Sequence, residues 1–431
     1  MHCVAGRYWV ETLGCPKNAV DSDKLVGTLV ADGLEEASSP ADADLVVVNT
    51  CAFVEAARQE SVDTVLALAD ARRPGARLVV TGCLAERYGG DLAEALPEAD
   101  LVAGFGVPVT LGTTTAFGPG RPADAARLDL LNLPRPPATA PWAYVKVAEG
   151  CDRACGFCAI PSFRGRQRSR TPEAILDEVD TLGAAEIVLV AQDLASYGRD
   201  AGDDRRGRRI EDLVAAVAAR VPRVRLLYLY PSELDDGLVD AICATGVPYF
   251  DLSLQHVSRP LLRCMRRWGD GDRFLARIRA IRAREPESTF RSSFIVGYPG
   301  ETEADHDRLL DFLTEAQLDW AGFFPFSREE GTYAAGLDGA VDEGLVAERL
   351  RELGELQDDI TAGRRAALIG GTIEVLVDEP GVGRSHREAP EIDGVVSLPA
   401  DLPVGSFATV TVTGAAGPDL EARSRGEEPA W

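Results

Sequence analysis

EGCDRACGFCAIP, residues 149–161, holds Cys151, Cys155 and Cys158 in one short loop and then supplies no fourth cysteine. Structural zinc usually takes four protein ligands on paired C-x2-C arms, and no second arm lies nearby. Soft thiolates also bind iron–sulfur clusters well. Three of them hold three irons of a 4Fe–4S cube and leave the fourth iron open, so the missing ligand is a substrate or cofactor. The loop directly follows an apolar run, WAYVKVAEG (142–150), which reads as a strand.

Five more such runs follow: EIVLVAQD (186–193), RLLYLY (225–230), YFDLSLQ (249–255), STFRSSFIVG (288–297) and WAGFFPF (320–326). Helical stretches such as TPEAILDEVDTLG (171–183) and RRIEDLVAAVAARV (208–221) separate them. Six βα units predict a partial (βα)6 barrel over 136–370, with ligands at the C-terminal ends of its strands.

Upstream, over 1–135, strand-like RYWVETLG, ADLVVVNTCAF and ARLVVTGC alternate with helical KNAVDSDKLVGTLVADG and EAARQESVDTVLALADARR. Near-continuous apolar strands mark an open parallel α/β sheet covered on both faces. The proline-rich NLPRPPATAP (132–141) reads as a linker, because its missing backbone donors exclude a central strand or helix interior. Downstream, over 371–431, GTIEVLVDEP, GVVSLP and SFATVTVTGA are short β-rich runs, which predict a small antiparallel barrel or sandwich. The fold class is α/β with a small β-barrel appended.

Cys15, Cys51 and Cys83 are far apart in sequence, yet each ends a predicted parallel strand: ETLGC, VVVNTC, LVVTGC. In an open α/β sheet those ends share one edge, where ligands bind. Singly, each is more simply a buried structural cysteine; three equivalent positions point instead to a second three-cysteine cluster. Cys243 and Cys264 read as packing residues and Cys3 as a mobile terminal thiol. Of the four histidines only His256, at the end of DLSLQHVS, is placed to face a site, and a plain hydrogen-bonded role is the simpler reading. FRGRQRSR puts Arg164, Arg166, Arg168 and Arg170 just after the cluster loop. Guanidinium forks suit carboxylates as well as phosphates, so the run is a candidate receiver for a substrate carboxylate, and a solvated basic loop is the alternative.

The bulk numbers set limits. A net charge of −24 repels a phosphate backbone and attracts a basic partner, although acidity also serves solubility alone. No apolar run approaches the ~20 residues of a membrane span, and MHCVAGRYWVET lacks a secretory pattern. The expected location is the cytoplasm, where nine clustered and scattered cysteines mean metal or catalysis rather than disulfides.

The C-x3-C-x2-C loop, with aromatic Phe157 before its third cysteine, resembles the radical S-adenosylmethionine superfamily. That resemblance implies that S-adenosyl-L-methionine chelates the open iron. It also implies that Ile295, Gly297 and Gly300 of IVGYPGET form the strand end beside the adenine. The three-part chain as a whole is similar to the methylthiotransferases, which implies two 4Fe–4S clusters, an electron-donor protein and insertion of CH3–S at an unactivated C–H bond. No side-chain base can take a proton from such a bond, hence the radical.

LGCPKNAVDS, VAQDLASYG and GRSHREAPEIDG resemble the branch that modifies an aspartate of ribosomal protein S-12, met free or on the ribosome. The alternative branch modifies an adenosine of transfer RNA and typically has Gln-Met-Asn where this chain has Pro16, Lys17 and Asn18. Ser253 departs from the family's usual Pro. The C-terminal module, a TRAM domain by resemblance, carries −7, which disfavours transfer RNA. A fully ligated iron–sulfur carrier and a metal-free ribosome-binding module remain as other classes.

Overall fold

The computed structural model describes residues 6–111, 128–202 and 209–424; Cys3 and the last seven residues lie outside them. The N-terminal unit runs β1 (Arg7–Thr12), α1 (Pro16–Ala31), β2 (Glu35–Glu36), β3 (Leu45–Thr50), α2 (Glu55–Ala71), β4 (Arg77–Gly82), α3 (Cys83–Ala95) and β5 (Leu101–Ala103). Its sheet has the order β2-β1-β3-β4-β5, and every pairing is parallel. All six residues of β3 are buried because the strand is covered on both faces. Val46 and Val48 pack with Val65 and Leu68 of α2, whereas Leu45 and Val47 pack with Leu25 and Leu29 of α1. The period-two alternation of strand side chains accounts for that division.

The central unit begins with β6 (Trp142–Lys146), β7 (Ala148–Glu149), α4 (Ile160–Arg164), β8 (Arg168–Ser169), α5 (Pro172–Leu182) and β9 (Glu186–Val190). It continues with α6 (Ile210–Ala218), β10 (Arg223–Leu226), α7 (Asp236–Ala244), β11 (Tyr249–Gln255), α8 (Arg259–Cys264) and α9 (Gly271–Arg284). Then come β12 (Thr289–Val296), α10 (Glu303–Ala316), β13 (Trp320–Pro325) and α11 (Glu343–Ala366). Strands β6, β9 and β10 form one parallel sheet and β11, β12 and β13 another, joined by a parallel bridge from Leu229 to Leu252. The result is an open barrel of six strands in chain order. The expected strand at RLLYLY stops early, at Leu226, because Tyr228 takes a left-handed φ of 65°.

The last unit is β14 (Thr372–Glu379), β15 (Val382–Arg384), β16 (Val396–Ser397), β17 (Phe407–Ala416) and β18 (Asp419–Ser424), closed as β14-β15-β16-β18-β17. The barrel alternative holds, with one correction: β16 and β18 pair in parallel, so it is not antiparallel throughout.

The two ends of the open barrel are filled from different parts of the chain. At the N-terminal ends of its strands lies GRSHREAPEIDG. Tyr144 donates to the Pro390 carbonyl at 2.8 Å, Trp320 Nε1 to the Arg387 carbonyl at 2.8 Å, and the Tyr249 hydroxyl to Asp393 at 2.5 Å. At the C-terminal ends lies α1, whose Val20 packs with Val190 and Leu227. Asp21 pairs with Lys146, and Lys24 with Glu178 at 3.1 Å. A second bridge forms where Glu329, after β13, accepts from Arg58 at 2.5 Å and from Arg87 at 2.7 Å. The N-terminal sheet is thus fixed across the barrel mouth.

Candidate active site

Local backbone chemistry fixes the 150–167 loop. A two-residue antiparallel ladder, β7 with β8, ties its base, and the Cys151 N–H donates to the Gly165 carbonyl at 3.1 Å. Gly150 has φ +81°, and a Cβ there would lie 2.2 Å from the Arg166 carbonyl oxygen, so only glycine fits. The other end of the loop is held where the Gly156 N–H donates to the Met265 carbonyl at 2.8 Å. Each sulfur of the loop has its own setting. The Arg153 N–H donates to Cys151 Sγ at 3.4 Å, and Arg267 donates to Cys155 Sγ at 3.3 Å. The Tyr230 ring lies between the two guanidinium groups, at 4.0 and 4.2 Å. Burial pushes the Cys151 thiol up to about 11 and the Cys158 thiol up to about 12. Phe157 packs against the barrel core.

The second trio sits along one edge of the sheet. Cys15 is the N-cap of α1, Cys51 follows β3, and Cys83 opens α3. The three thiols lie within electrostatic range of one another. Gly82, with φ +90°, lets Cys83 turn into the helix; a Cβ there would meet Asn49 Oδ1 at 2.3 Å. Asn18 fastens the group: its Nδ2 donates to the carbonyls of Leu13 and Thr50, both at 2.9 Å. Burial opposes ionisation of Cys15, but Lys17 and Arg164 outweigh it and hold that thiol below its ordinary value. Burial pushes Cys51 up to about 11, and pushes Cys83 up despite Arg164.

Arg164 joins the two trios. It is buried, and its Nη2 donates to Cys83 Sγ at 2.9 Å and to Asn18 Oδ1 at 2.7 Å. Its Nη1 reaches Asp21 and Glu149, each at 3.0 Å. Glu149 stands two residues before Cys151. For Arg164 and Arg170 this corrects the reading of the arginine run as a receiver for a substrate carboxylate. Arg164 and Arg170 are buried in internal ion pairs, Arg170 with Glu178 at 2.8 Å, whereas Arg168 pairs with Asp129. Arg166 is 91% exposed and pairs with Asp152 at 3.2 Å.

Buried polar atoms at the mouth without a partner among the described residues include Gln192 Oε1 and Asp193 Oδ1, just past β9, and His256 Nε2, past β11. His256 Nδ1 accepts the Ser258 N–H at 2.9 Å, so Nε2 carries the proton of the neutral ring. The plain hydrogen-bonded reading holds for one nitrogen only. Ile295 lies near the end of β12, with Gly297 and Gly300 in the turn behind it. Sequence reasoning missed what shapes that turn. Glu301 accepts from the N–H groups of Gly297 at 2.7 Å and Tyr298 at 3.2 Å, and Arg349 holds its other oxygen at 3.0 Å. Cys264, expected to be packed, is exposed, and Cys243 is partly buried.

Among the described residues no three His, Cys, Asp or Glu side chains converge as a single-ion site requires. An iron–sulfur cluster places each thiolate on a different iron, so its sulfurs stay apart.

Comparison with known proteins agrees with the architecture. Residues 7–104 match the uncharacterized protein family UPF0004, residues 145–313 the radical SAM superfamily, and residues 369–424 the TRAM domain. Fold and matches together define a radical S-adenosylmethionine protein with a cysteine-bearing α/β module in front and a TRAM barrel behind. Ribosomal protein uS12 methylthiotransferase RimO of Nocardioides sp. is 43% identical, over 96% of each chain. The protein of the same name from Cutibacterium acnes is 42% identical over 96% of each chain. That from Saccharopolyspora erythraea is 43% identical over 96% of this chain and 94% of its own. The chain belongs to the ribosomal protein uS12 methylthiotransferase family. No helix among the described residues is long and apolar enough to cross a membrane.

Proposed function

We propose that the protein attaches a methylthio group to the β-carbon of an aspartate in ribosomal protein uS12, using S-adenosyl-L-methionine and two 4Fe–4S clusters. Cys151, Cys155 and Cys158 are the ligands of the radical cluster; Cys15, Cys51 and Cys83 are those of the second. The observation that carries this reading is the link through Arg164, which sets the two cysteine trios across one domain junction.

The residues present fit these groups. Each trio offers three thiols, and cations face the sulfurs: Arg267 on one side, Arg164 and Lys17 on the other. Such cations offset the negative charge that thiolate-bound clusters carry. The orphaned acceptors Gln192 Oε1 and Asp193 Oδ1 suit the ammonium of a methionine moiety beside Cys151. Phe157, Ile295, Gly297 and Gly300 line the same mouth and take the rest of that molecule, with the Glu301–Arg349 pair keeping the turn open. When bound, the clusters and S-adenosylmethionine supply the radical and the sulfur. The protein's part is to hold both in one dry junction: α1 covers the mouth, and Lys17 lies 3.3 Å over the Tyr228 ring.

The substrate assignment is tested by direct competition. Purified uS12 and bulk transfer RNA are supplied together with S-adenosylmethionine and a reductant. A gain of one CH2S on an aspartate of uS12 is expected; the same gain on an adenosine, with uS12 untouched, overturns it.

A further inference from the structure

Residues 259–284 hold nine arginines and two aspartates, in a chain whose net charge is −24. The second half of this stretch is internally neutralised. Arg277 pairs with Asp236 at 2.7 Å, Arg279 with Glu315 at 2.9 Å, and Arg284 with Asp240. The first half is not. Among the described residues no carboxylate pairs with Arg259, Arg263 or Arg266, and all three are exposed. Arg259 and Arg263 are four apart on α8 and so share a face. Arg266 follows one turn on, stacked 4.1 Å over the Tyr333 ring. Trp268, 45% exposed, completes the patch.

The place of this patch is as telling as its charge. It forms the outer wall of the radical-cluster loop. The Met265 carbonyl takes the Gly156 N–H at 2.8 Å, the Cys264 carbonyl takes the Tyr298 hydroxyl at 3.1 Å, and Arg267 donates to Cys155 Sγ at 3.3 Å. Arg266 thus adjoins in the chain the arginine whose side chain touches Cys155.

We propose that the Arg259–Arg263–Arg266 face is the docking surface for an acidic one-electron donor protein that reduces the radical cluster. The inference rests on the radical reading above, which requires one electron per cleavage. The donor's reduced centre gives up one electron and leaves oxidised by one. That electron is consumed in breaking one carbon–sulfur bond of S-adenosylmethionine, which yields methionine and a carbon radical.

An acidic protein fits better than RNA. A long polyanion gains affinity from many phosphate contacts, and beyond these three cations it would run into a chain of net −24. A compact acidic partner touches the patch alone, as the small interfaces of electron-transfer encounters do.

The test compares the loaded wild-type enzyme with a variant carrying Arg259→Glu, Arg263→Glu and Arg266→Gln. S-adenosylmethionine cleavage is driven either by dithionite or by a reduced 2Fe–2S ferredoxin of net negative charge. At low ionic strength the ferredoxin-driven rate should fall by about tenfold or more and lose most of its salt dependence. The dithionite-driven rate should not change, which also shows that the variant is folded. Ferredoxin binding, followed by calorimetry, should weaken in parallel. Unchanged ferredoxin-driven rates overturn the proposal, and so does weaker binding of a ribosomal RNA fragment with ferredoxin rates intact. If wild type failed to cleave with dithionite while the variant still bound ferredoxin less well, the radical reading would fall and the surface would stand.

Discussion

The two ends of the barrel both bury charge, but they give it different partners. At the N-terminal ends of the strands, cations meet carboxylates. Arg225 and Glu186 are both fully buried and lie 2.8 Å apart; Arg384 reaches the same carboxylate at 3.2 Å, and Arg365 pairs with Glu388. At the C-terminal ends, Arg267 meets a cysteine sulfur, a ring face and a backbone carbonyl, and Lys17 a ring face. Among the described residues no carboxylate pairs with either. One end is electrostatically closed and can only contribute stability. The other also pairs cations with carboxylates, Arg164 with Asp21 and Glu149 and Arg153 with Asp193. But it turns Arg164 and Arg267 toward cysteine sulfurs and leaves acceptors on Gln192 and Asp193 open, which is the arrangement a charged ligand completes. This division follows the general rule for such barrels, with chemistry at the C-terminal face and stability at the N-terminal one.

The largest effect that would break this contrast lies at the mouth. Cys151→Ala should reduce S-adenosylmethionine cleavage to background, while the thermal unfolding midpoint stays close to wild type. Replacing Cys15, Cys51 and Cys83 together by alanine should lower iron from about eight to about four per chain. That triple variant should keep measurable cleavage and lose methylthio transfer. Iron quantitation with product analysis by mass spectrometry reads both. Full iron content in the triple variant would mean that the strand-end cysteines hold no cluster.

The opposite pattern belongs to the other end. Glu388 is fully buried, pairs with Arg365, and accepts from the N–H of Ser385 at 2.7 Å and its hydroxyl at 2.6 Å. Glu388→Ala leaves the Arg365 charge buried without its carboxylate, a change that typically costs about 3–5 kcal/mol. Denaturant unfolding should show a loss of that order, with cleavage per folded molecule unchanged. A drop in specific activity without a drop in stability would show that the far end communicates with the mouth.

How far the sequence revealed these two ends differs for a physical reason. The trio Cys151, Cys155 and Cys158 is legible because its members share one loop, so spacing alone places them together. The second trio is encoded in the sheet: Cys15, Cys51 and Cys83 become neighbours only once three parallel strands are aligned, and the apolar runs ending in cysteine were sufficient to infer that. The partners of the sulfurs were not legible. Arg164 looked like one member of a solvated or substrate-binding run, because nothing local distinguishes it from Arg166. Burial under α1 decides that, and it depends on a contact 143 residues away with Asp21. GRSHREAPEIDG was legible as a family signature and not as a plug beneath the barrel. Its acidic residues answer arginines on β12 and α11, and Arg225 of β10 donates to its His386 carbonyl.

The smallest expected effect uses one of those internal acids to separate the two ends by pH. Burial, opposed by Arg291, pushes the Asp393 carboxyl up to about 6, while it accepts from the Tyr249 hydroxyl and from the Ala389 N–H at 2.8 Å. The folded chain therefore keeps this proton at pH values where the unfolded chain has lost it. That contribution is fully present below about pH 4 and lost as pH rises through about 6, a loss of no more than about 3 kcal/mol. Glu186 has the opposite sign. Burial opposes its ionisation, but Arg225 and Arg384 hold it down at about 2, so its contribution disappears only as pH falls from about 4 toward 2. Asp393→Asn keeps an acceptor for Tyr249 and Ala389 and cannot ionise. It should match wild type near pH 4 and exceed it in stability at pH 7, flattening the profile between them. Cleavage of S-adenosylmethionine at fixed pH should be the same for both proteins, since the carboxyl lies at the closed end. Parallel stability profiles for the two would show that Asp393 is ionised throughout, and that Arg291 outweighs burial there as Arg225 and Arg384 do at Glu186.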